Sequence, residues 1–97
     1  MRTSVLRTAT VSTTSDLAVA PSPSRAALLF LAPAGTAVIT VNTRAPAADG
    51  DGIVLQAGSG AVQLTRQTHG DIVGQAWFAL AAAGTPLLSW VESGEVP

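Results

Sequence analysis

Few residues in this sequence could do chemistry, and one group of them has the residue types of a hydrolytic triad. His69 is the only histidine, Asp71 follows two residues later, and Ser59 or Ser89 could supply a hydroxyl. The GSG around Ser59 lacks the outer spacing of a G-x-S-x-G nucleophile elbow. The segment around His69 is instead typical of a polar turn whose side chains hydrogen-bond local backbone. We therefore expect no catalytic residue.

The alternating acids Asp49 and Asp51 could supply oxygen ligands to calcium. Calcium takes about six to eight oxygens, and no further acids follow this pair at the spacing of an EF-hand. Because Asp and Gly favour turns, the DGDG sequence indicates a loop. We expect no metal site and no cofactor.

The aromatic residues could serve either a ligand or the core. Trp77, Phe78 and Trp90 are three of only four aromatic residues in the chain. They could form an exposed shelf for a ligand, but such side chains more often anchor a core or an interface. We expect them to contribute most to burial.

Two arginines lie at strand boundaries. Arg25 and Arg66 could pair with Asp71 or Glu92, within the fold or across subunits, or could stay solvated. The sequence leaves these alternatives open.

The composition around these residues is poor in charge. A chain of 97 residues corresponds to one domain. Charged residues are 11% of it and lysine is absent, whereas an ordinary soluble domain is about 25% charged. Because small domains have proportionally more surface, neighbours are expected to cover much of this one, including strand edges. The net charge of −1 and the scattered arginines indicate no nucleic-acid partner.

The apolar residues are too interrupted for a membrane span. The longest strongly apolar stretch, Ala26–Ala34, contains Pro33 and falls far short of the ~20 residues that cross a bilayer as a helix. The N-terminus has no continuous apolar segment typical of a secretory signal. We expect no membrane partner and synthesis in the cytoplasm.

Alternation with a period of two dominates the chain and predicts an all-β fold. About seven to eight short strands with turn signals between them are typical of a small antiparallel sandwich or barrel. The predicted strands, by residue number, are 3–14, 17–20, 25–32, 36–42, 53–56, 61–65, 75–82 and 87–92. The segment 75–82 is compatible with a strand or a short helix.

Turn residues then divide the chain. The glycine-containing AGSG between 53–56 and 61–65 predicts a hairpin. Strands 25–32 and 36–42 are apolar enough to be the central ones. Within one domain, 1–97, we expect an N-terminal arm and edge strand over 1–24, a β core over 25–92, and a tail over 93–97.

The order of these elements resembles that of small β-structured head decoration, or cement, proteins of tailed bacteriophages. The matching pieces are VSTTSDLAVAPSPSRAALLFLA, GIVLQAGSGAVQLTRQTHGDIVGQAWFAL and LLSWVE. The turn after the first apolar strand often contains Asn in those proteins, whereas in this chain it consists of Ala32, Pro33 and Ala34. The resemblance implies a virion protein on the outer capsid surface, bound to the major capsid protein and to copies of itself, with a trimer as one form.

Function in an assembly would need contact residues rather than catalytic ones. We expect the N-terminal arm and an apolar face around the aromatics to provide them. The candidate interface residues are Val5, Leu6, Arg7, Val11, Trp77, Phe78 and Trp90. A phage tail or head-to-tail connector component fits the same composition. A carbohydrate-binding β domain is a further alternative, which requires Trp77 or Trp90 to be exposed.

Overall fold

The computed structural model describes residues 2–44, 52–58 and 60–95. In those parts of the chain the backbone forms eight strands, one short α-helix and one 3-10 helix. The elements are β1 (Arg2–Thr10), β2 (Asp16–Val19), β3 (Arg25–Phe30), β4 (Val38–Asn42), β5 (Ile53–Gln56), β6 (Val62–Thr65), α1 (Arg66–His69), the 3-10 helix (Gly70–Gly74), β7 (Trp77–Ala81) and β8 (Leu87–Glu95).

The strands form two four-stranded sheets. One has the order β1-β8-β3-β6 and the other the order β2-β7-β4-β5. Every described strand pair is antiparallel. Apart from β4 and β5, which are neighbours in one sheet, sequential strands alternate between the two sheets, which is the jelly-roll arrangement of a sandwich. The predicted all-β antiparallel fold is confirmed, with eight strands in a sandwich rather than a barrel.

The predicted hairpin between β5 and β6 is wrong. Strand β5 pairs with β4, and β6 pairs with β3 in the opposite sheet. Their connection therefore crosses from one sheet to the other, and Ser59 within it lies outside the described residues. Leu55 and Leu64 are both buried in the shared core from opposite sides. Glycines permit a turn of either kind, so the turn residues alone did not determine which strands pair.

The N-terminal segment is part of the sandwich. All nine residues of β1 pair with β8, and β2 pairs with β7. Both strands are the outermost of their sheets. Of the predicted arm and edge strand, the structure thus shows edge strands. At the other end, β8 continues to Glu95 and so includes residues that we expected in the tail.

The core lies between the sheets because successive side chains of a strand point to opposite faces. The buried hydrophobic cluster consists of Val11, Val19, Leu28, Phe30, Ile39, Val41, Leu55, Leu64, Val73, Trp77, Ala79, Ala81, Leu88 and Trp90. Phe30 and Trp77 meet edge to face at 5.4 Å between ring centroids, a preferred aromatic geometry. Strands β3 and β4, predicted to be central, are each an inner strand of a different sheet.

A glycine allows β8 to approach the start of β3. A Cβ atom built on Gly94 would lie 2.7 Å from the carbonyl oxygen of Ser24. The β3–β8 register shifts at this point, between Arg25 and Ala27. Any larger residue at position 94 would push the two strands apart just where Arg25 enters the core.

Candidate functional site

Two of the residues considered for a hydrolytic triad, His69 and Asp71, make local contacts. His69 is exposed, and its Nδ1 accepts a hydrogen bond from the backbone N–H of Thr65 at 3.1 Å. Asp71 accepts a hydrogen bond from Arg66 at 3.2 Å. Ser89 lies within β8, and Ser59 lies outside the described residues. The predicted polar turn over residues 68–71 is instead the junction of α1 and the 3-10 helix, while His69 bonds local backbone as expected.

Neither a metal-ligand cluster nor a membrane-spanning helix occurs among the described residues. Nowhere in that part of the chain do three His, Cys, Asp or Glu side chains gather, and none of its helices is long and apolar enough to cross a bilayer. Asp49 and Asp51, the two acids considered as calcium ligands, lie outside the described residues.

Arg25 is a buried arginine whose guanidinium makes four hydrogen bonds and one further ion-pair contact. Its Nε donates to Oε1 of Glu92 at 2.8 Å, and one terminal nitrogen lies 2.7 Å from the same oxygen. That terminal nitrogen also donates to the carbonyl oxygen of Ala20. The other terminal nitrogen donates to the carbonyl oxygens of Val73 at 2.8 Å and Gln75 at 3.2 Å. A buried charge is tolerated when it is paired and hydrogen-bonded, as here.

The carboxylate of Glu92 joins two further side chains to this arginine. Its second oxygen, Oε2, forms an ion pair with Nε of Arg7 at 2.8 Å and accepts a hydrogen bond from Nε1 of Trp90 at 3.1 Å. Strands β1, β3 and β8 are therefore linked by side chains as well as by their backbone ladders. We call Arg7, Arg25, Trp90 and Glu92 the Glu92 network.

Arg66 holds the neighbouring connection against β3. Its guanidinium donates to the carbonyl oxygens of Arg25, at 2.9 and 3.1 Å, and of Pro23, at 3.1 Å. It also pairs with Asp71. Of the alternatives that the sequence left open, the structure shows pairing within one chain, of Arg25 with Glu92 and of Arg66 with Asp71. These charged groups stabilise the fold.

The seven candidate interface residues fall into two groups. Val11, Trp77 and Trp90 are buried in the chain's own core, so as surface contacts they are corrected to core residues. The reason is that the sandwich needs its largest side chains between the sheets to fill a thin core. The alternative of a carbohydrate-binding domain loses its basis, because it required one of the two tryptophans to be exposed.

The remaining candidates stay at the surface. Val5, Leu6 and Arg7 are exposed on β1, and Phe78 is half-buried on β7. Val5 and Arg7 are register partners of Glu92 and Trp90, so they share the inward-facing side of the sheet. Leu6 points the other way, toward the outside of the sandwich.

The outer side of the β1-β8-β3-β6 sheet is a surface that we call the uncharged face. Leu28, Phe30, Leu88 and Trp90 are buried inward, so the residues that alternate with them face outward. Paired by register, the outward residues are Leu6, Val91, Leu29 and Gln63 in one row, Ser4, Ser93, Ala27 and Thr65 in the next, Thr8 with Ser89, and Thr10 with Leu87, with Leu31 beside Ser89.

This face combines exposed hydrophobic residues with hydroxyls. Leu6 and Leu87 are 63% and 54% exposed, the two highest values among the large hydrophobic residues that the structure describes. Ser4 and Ser93 share a hydrogen bond between their hydroxyls at 2.9 Å. The residues that define the face are uncharged, and the charged register partners Arg2 and Glu95 follow one row beyond Ser4 and Ser93, at the end of the sheet. The low overall charge predicted a covered surface, but only the strand register shows that these residues share one face.

The outer side of the other sheet is less open. Thr40 and Leu80, which face away from the core there, are only 1% and 7% exposed. Leu17 is exposed at the sheet edge and is the register partner of the half-buried Phe78. Less apolar area therefore remains to be covered on this side.

Comparison with known proteins bears on the fold alone. No protein family model matches the chain, and no curated protein matches it in sequence. A solved structure described by the words "Bacillus endospore appendages form a novel family of disulfide-linked pili" matches over 100% of this chain and 88% of that chain. The TM-score is 0.58 and the sequence identity is 15%. This chain is thus similar in fold to a protein of an assembled appendage.

Proposed function

We propose that this chain is a non-enzymatic structural subunit that works in a multi-copy assembly. The observation that carries the proposal is the uncharged face, which presents the two most exposed large hydrophobic residues, Leu6 and Leu87, on one side of a small domain. Apolar surface that is grouped on one face marks an interaction site more often than scattered single residues do.

The distribution of charge supports the same function. With 11% charged residues the chain has few ions to solvate its surface. Arg25 and Glu92 are bound in the Glu92 network, and Arg66 is bound to backbone carbonyls and Asp71. These groups stabilise the interior and one end of the sandwich. The central rows of the outer face of one sheet consist of serine, threonine, alanine, aliphatic side chains and one glutamine.

Contacts in such an assembly would be non-covalent between copies of this chain. The similar pilus protein is described as disulfide-linked, whereas this sequence contains no cysteine. Cohesion would come from buried area repeated over many copies, since multivalency multiplies weak contacts.

Two forms of assembly are supported by different observations. A decoration protein, bound to the major capsid protein on the outside of a phage capsid, is supported by the order of sequence elements. In that form the chain would be located on the virion, and a trimer of copies would fit it. A filament subunit is supported by the similarity in fold to an appendage protein. Both forms need a stable sandwich with a surface to share, and neither needs a catalytic site.

Electron microscopy of the purified chain would separate these forms. The chain is imaged alone at rising concentration, and again after mixing with purified empty heads of a tailed bacteriophage. Regular filaments from the chain alone would support the filament form. Discrete oligomers that add density at fixed positions on the heads would support decoration. Single particles the size of one domain, alone and with heads, would refute the proposal.

A further inference from the structure

We infer that the uncharged face packs against the same face of a second copy of this chain. The inference rests on the proposed function as a structural subunit, and it names the surface and the partner. Two properties of the face support this contact, which are an area that suits a weak interface and a composition that matches itself.

The area is that of a small, reversible interface. Strands β1 and β8 have nine residues each, β3 has six and β6 has four. At about 3.4 Å per residue and about 4.8 Å between strands, the sheet covers roughly 450 Å², or roughly 900 Å² for two copies. Specific interfaces bury about 1,200 Å² or more in total, and weaker ones lie below this value. We therefore expect a dimer with a dissociation constant between about 1 µM and 1 mM.

The side chains of the face favour the same face of a second copy as the partner. The row Leu6, Val91, Leu29 would meet its counterpart as an aliphatic contact, because two-fold packing brings the same patch of both copies together. Rows of short hydroxyl side chains lie on both sides of it. No charge lies in these central rows, so none would lose its hydration there, and a partner with charged groups would find no counter-ion opposite them.

Charged residues lie at the edge of the contact. Arg2 and Glu95 are register partners at the end of β1 and β8, one row beyond Ser4 and Ser93. Arg66 directly follows Thr65, and its guanidinium is bound to the carbonyls of Arg25 and Pro23 and to Asp71. These residues belong to the rim, where interfaces usually carry their polar groups.

The test places a charge on the face and a matched charge on the other sheet. Leu6→Asp puts a carboxylate in the central row, and Leu17→Asp puts one at a similarly exposed leucine outside the face. Thr8→Arg is a second variant on the face, with the opposite charge. Since all three side chains are exposed, the variants should fold as the wild type does, which near-ultraviolet circular dichroism checks.

Sedimentation equilibrium then compares the dissociation constants. We expect the wild-type chain and Leu17→Asp to dimerise equally, and both face variants to dimerise at least about a hundredfold more weakly, because each would bury an uncompensated charge. Loss of the dimer in Leu17→Asp with no change in Leu6→Asp would overturn the face assignment and leave the proposed function intact. A wild-type chain that stays monomeric in solution but binds phage heads would also overturn only this inference.

Discussion

Replacement of Arg25 by Met should be the most destabilising single change in the Glu92 network. The methionine side chain retains much of the aliphatic stem of arginine but none of its five N–H donors. Glu92 would lose a hydrogen bond and its buried counter-ion. The buried carbonyl oxygen of Val73 would lose its donor, and so would the part-buried ones of Gln75 and Ala20.

The expected loss is a large part of the total stability. Removing one partner of a buried ion pair costs about 3 to 5 kcal/mol. A domain of this size is stable by about 5 to 15 kcal/mol. Arg7 still contacts Glu92 in this variant, which keeps the expected loss near the lower value. We expect Arg25→Met to lower the free energy of unfolding by about 3 kcal/mol.

Urea titration followed by tryptophan fluorescence would measure this loss, because both tryptophans are buried and should report unfolding of the core. Arg7→Met is the matched control, since it removes an arginine from the same carboxylate. The Arg7 side chain is 58% exposed, and exposed ion pairs contribute about 0 to 1 kcal/mol. If Arg25→Met cost no more than Arg7→Met, the Glu92 network would not be what stabilises this end of the fold.

Three other changes test the packing and the topology. Gly94→Ala should lower the free energy of unfolding by about 1 to 3 kcal/mol, because its Cβ would collide with the backbone at Ser24. Gly58→Ala, where a Cβ meets nothing within 4 Å, is the control. Equal losses of both variants in the same titration would contradict the close approach. Insertion of Gly-Ser after Gly58 should lower the free energy of unfolding by less than about 1 kcal/mol, because the connection crosses between sheets and sets no hairpin register. A large fall in melting temperature would indicate that β5 and β6 pair. Phe30→Leu should cost about 1 to 2 kcal/mol through loss of the ring contact with Trp77, and an unchanged melting temperature would contradict that contact.

Much of the fold follows from local pattern in the sequence. The alternation of apolar and polar residues predicted strands wherever the structure has them, and for β5 the predicted bounds agree with the observed ones. Residues 75–82, compatible with strand or helix, contain strand β7 because Trp77, Ala79 and Ala81 face the core at a period of two.

Strand pairing depended on contacts that local pattern does not record. The AGSG connection has the composition of a hairpin turn, yet β5 and β6 lie in opposite sheets. The choice depends on which partner covers each strand, and that is decided by the whole sandwich. The same limit applies to β1, whose Thr-rich sequence is compatible with a free arm or with the edge strand that it forms.

The sequence predicted that the chain has a shared surface, but it did not identify most of the residues that form it. Low charge indicated a shared surface, and Leu6 was among the expected contacts. The tryptophans were expected at an interface or in the core. Both are buried in the core, because no other side chain in so small a chain fills as much volume. Val91, Leu29 and Leu87 were not singled out, since their common face appears only when β8 is aligned with β1 and β3.

The shared surface is tested most directly by the association constant of the wild-type chain measured at several ionic strengths. Contacts between charged groups weaken as salt shortens the screening length from about 30 Å at 0.01 M to about 3 Å at 1 M. A dimer formed through the uncharged face should persist, with equal or greater association at high salt. A chain that is monomeric at every concentration, or whose association falls steeply with salt, would contradict a contact made by this face.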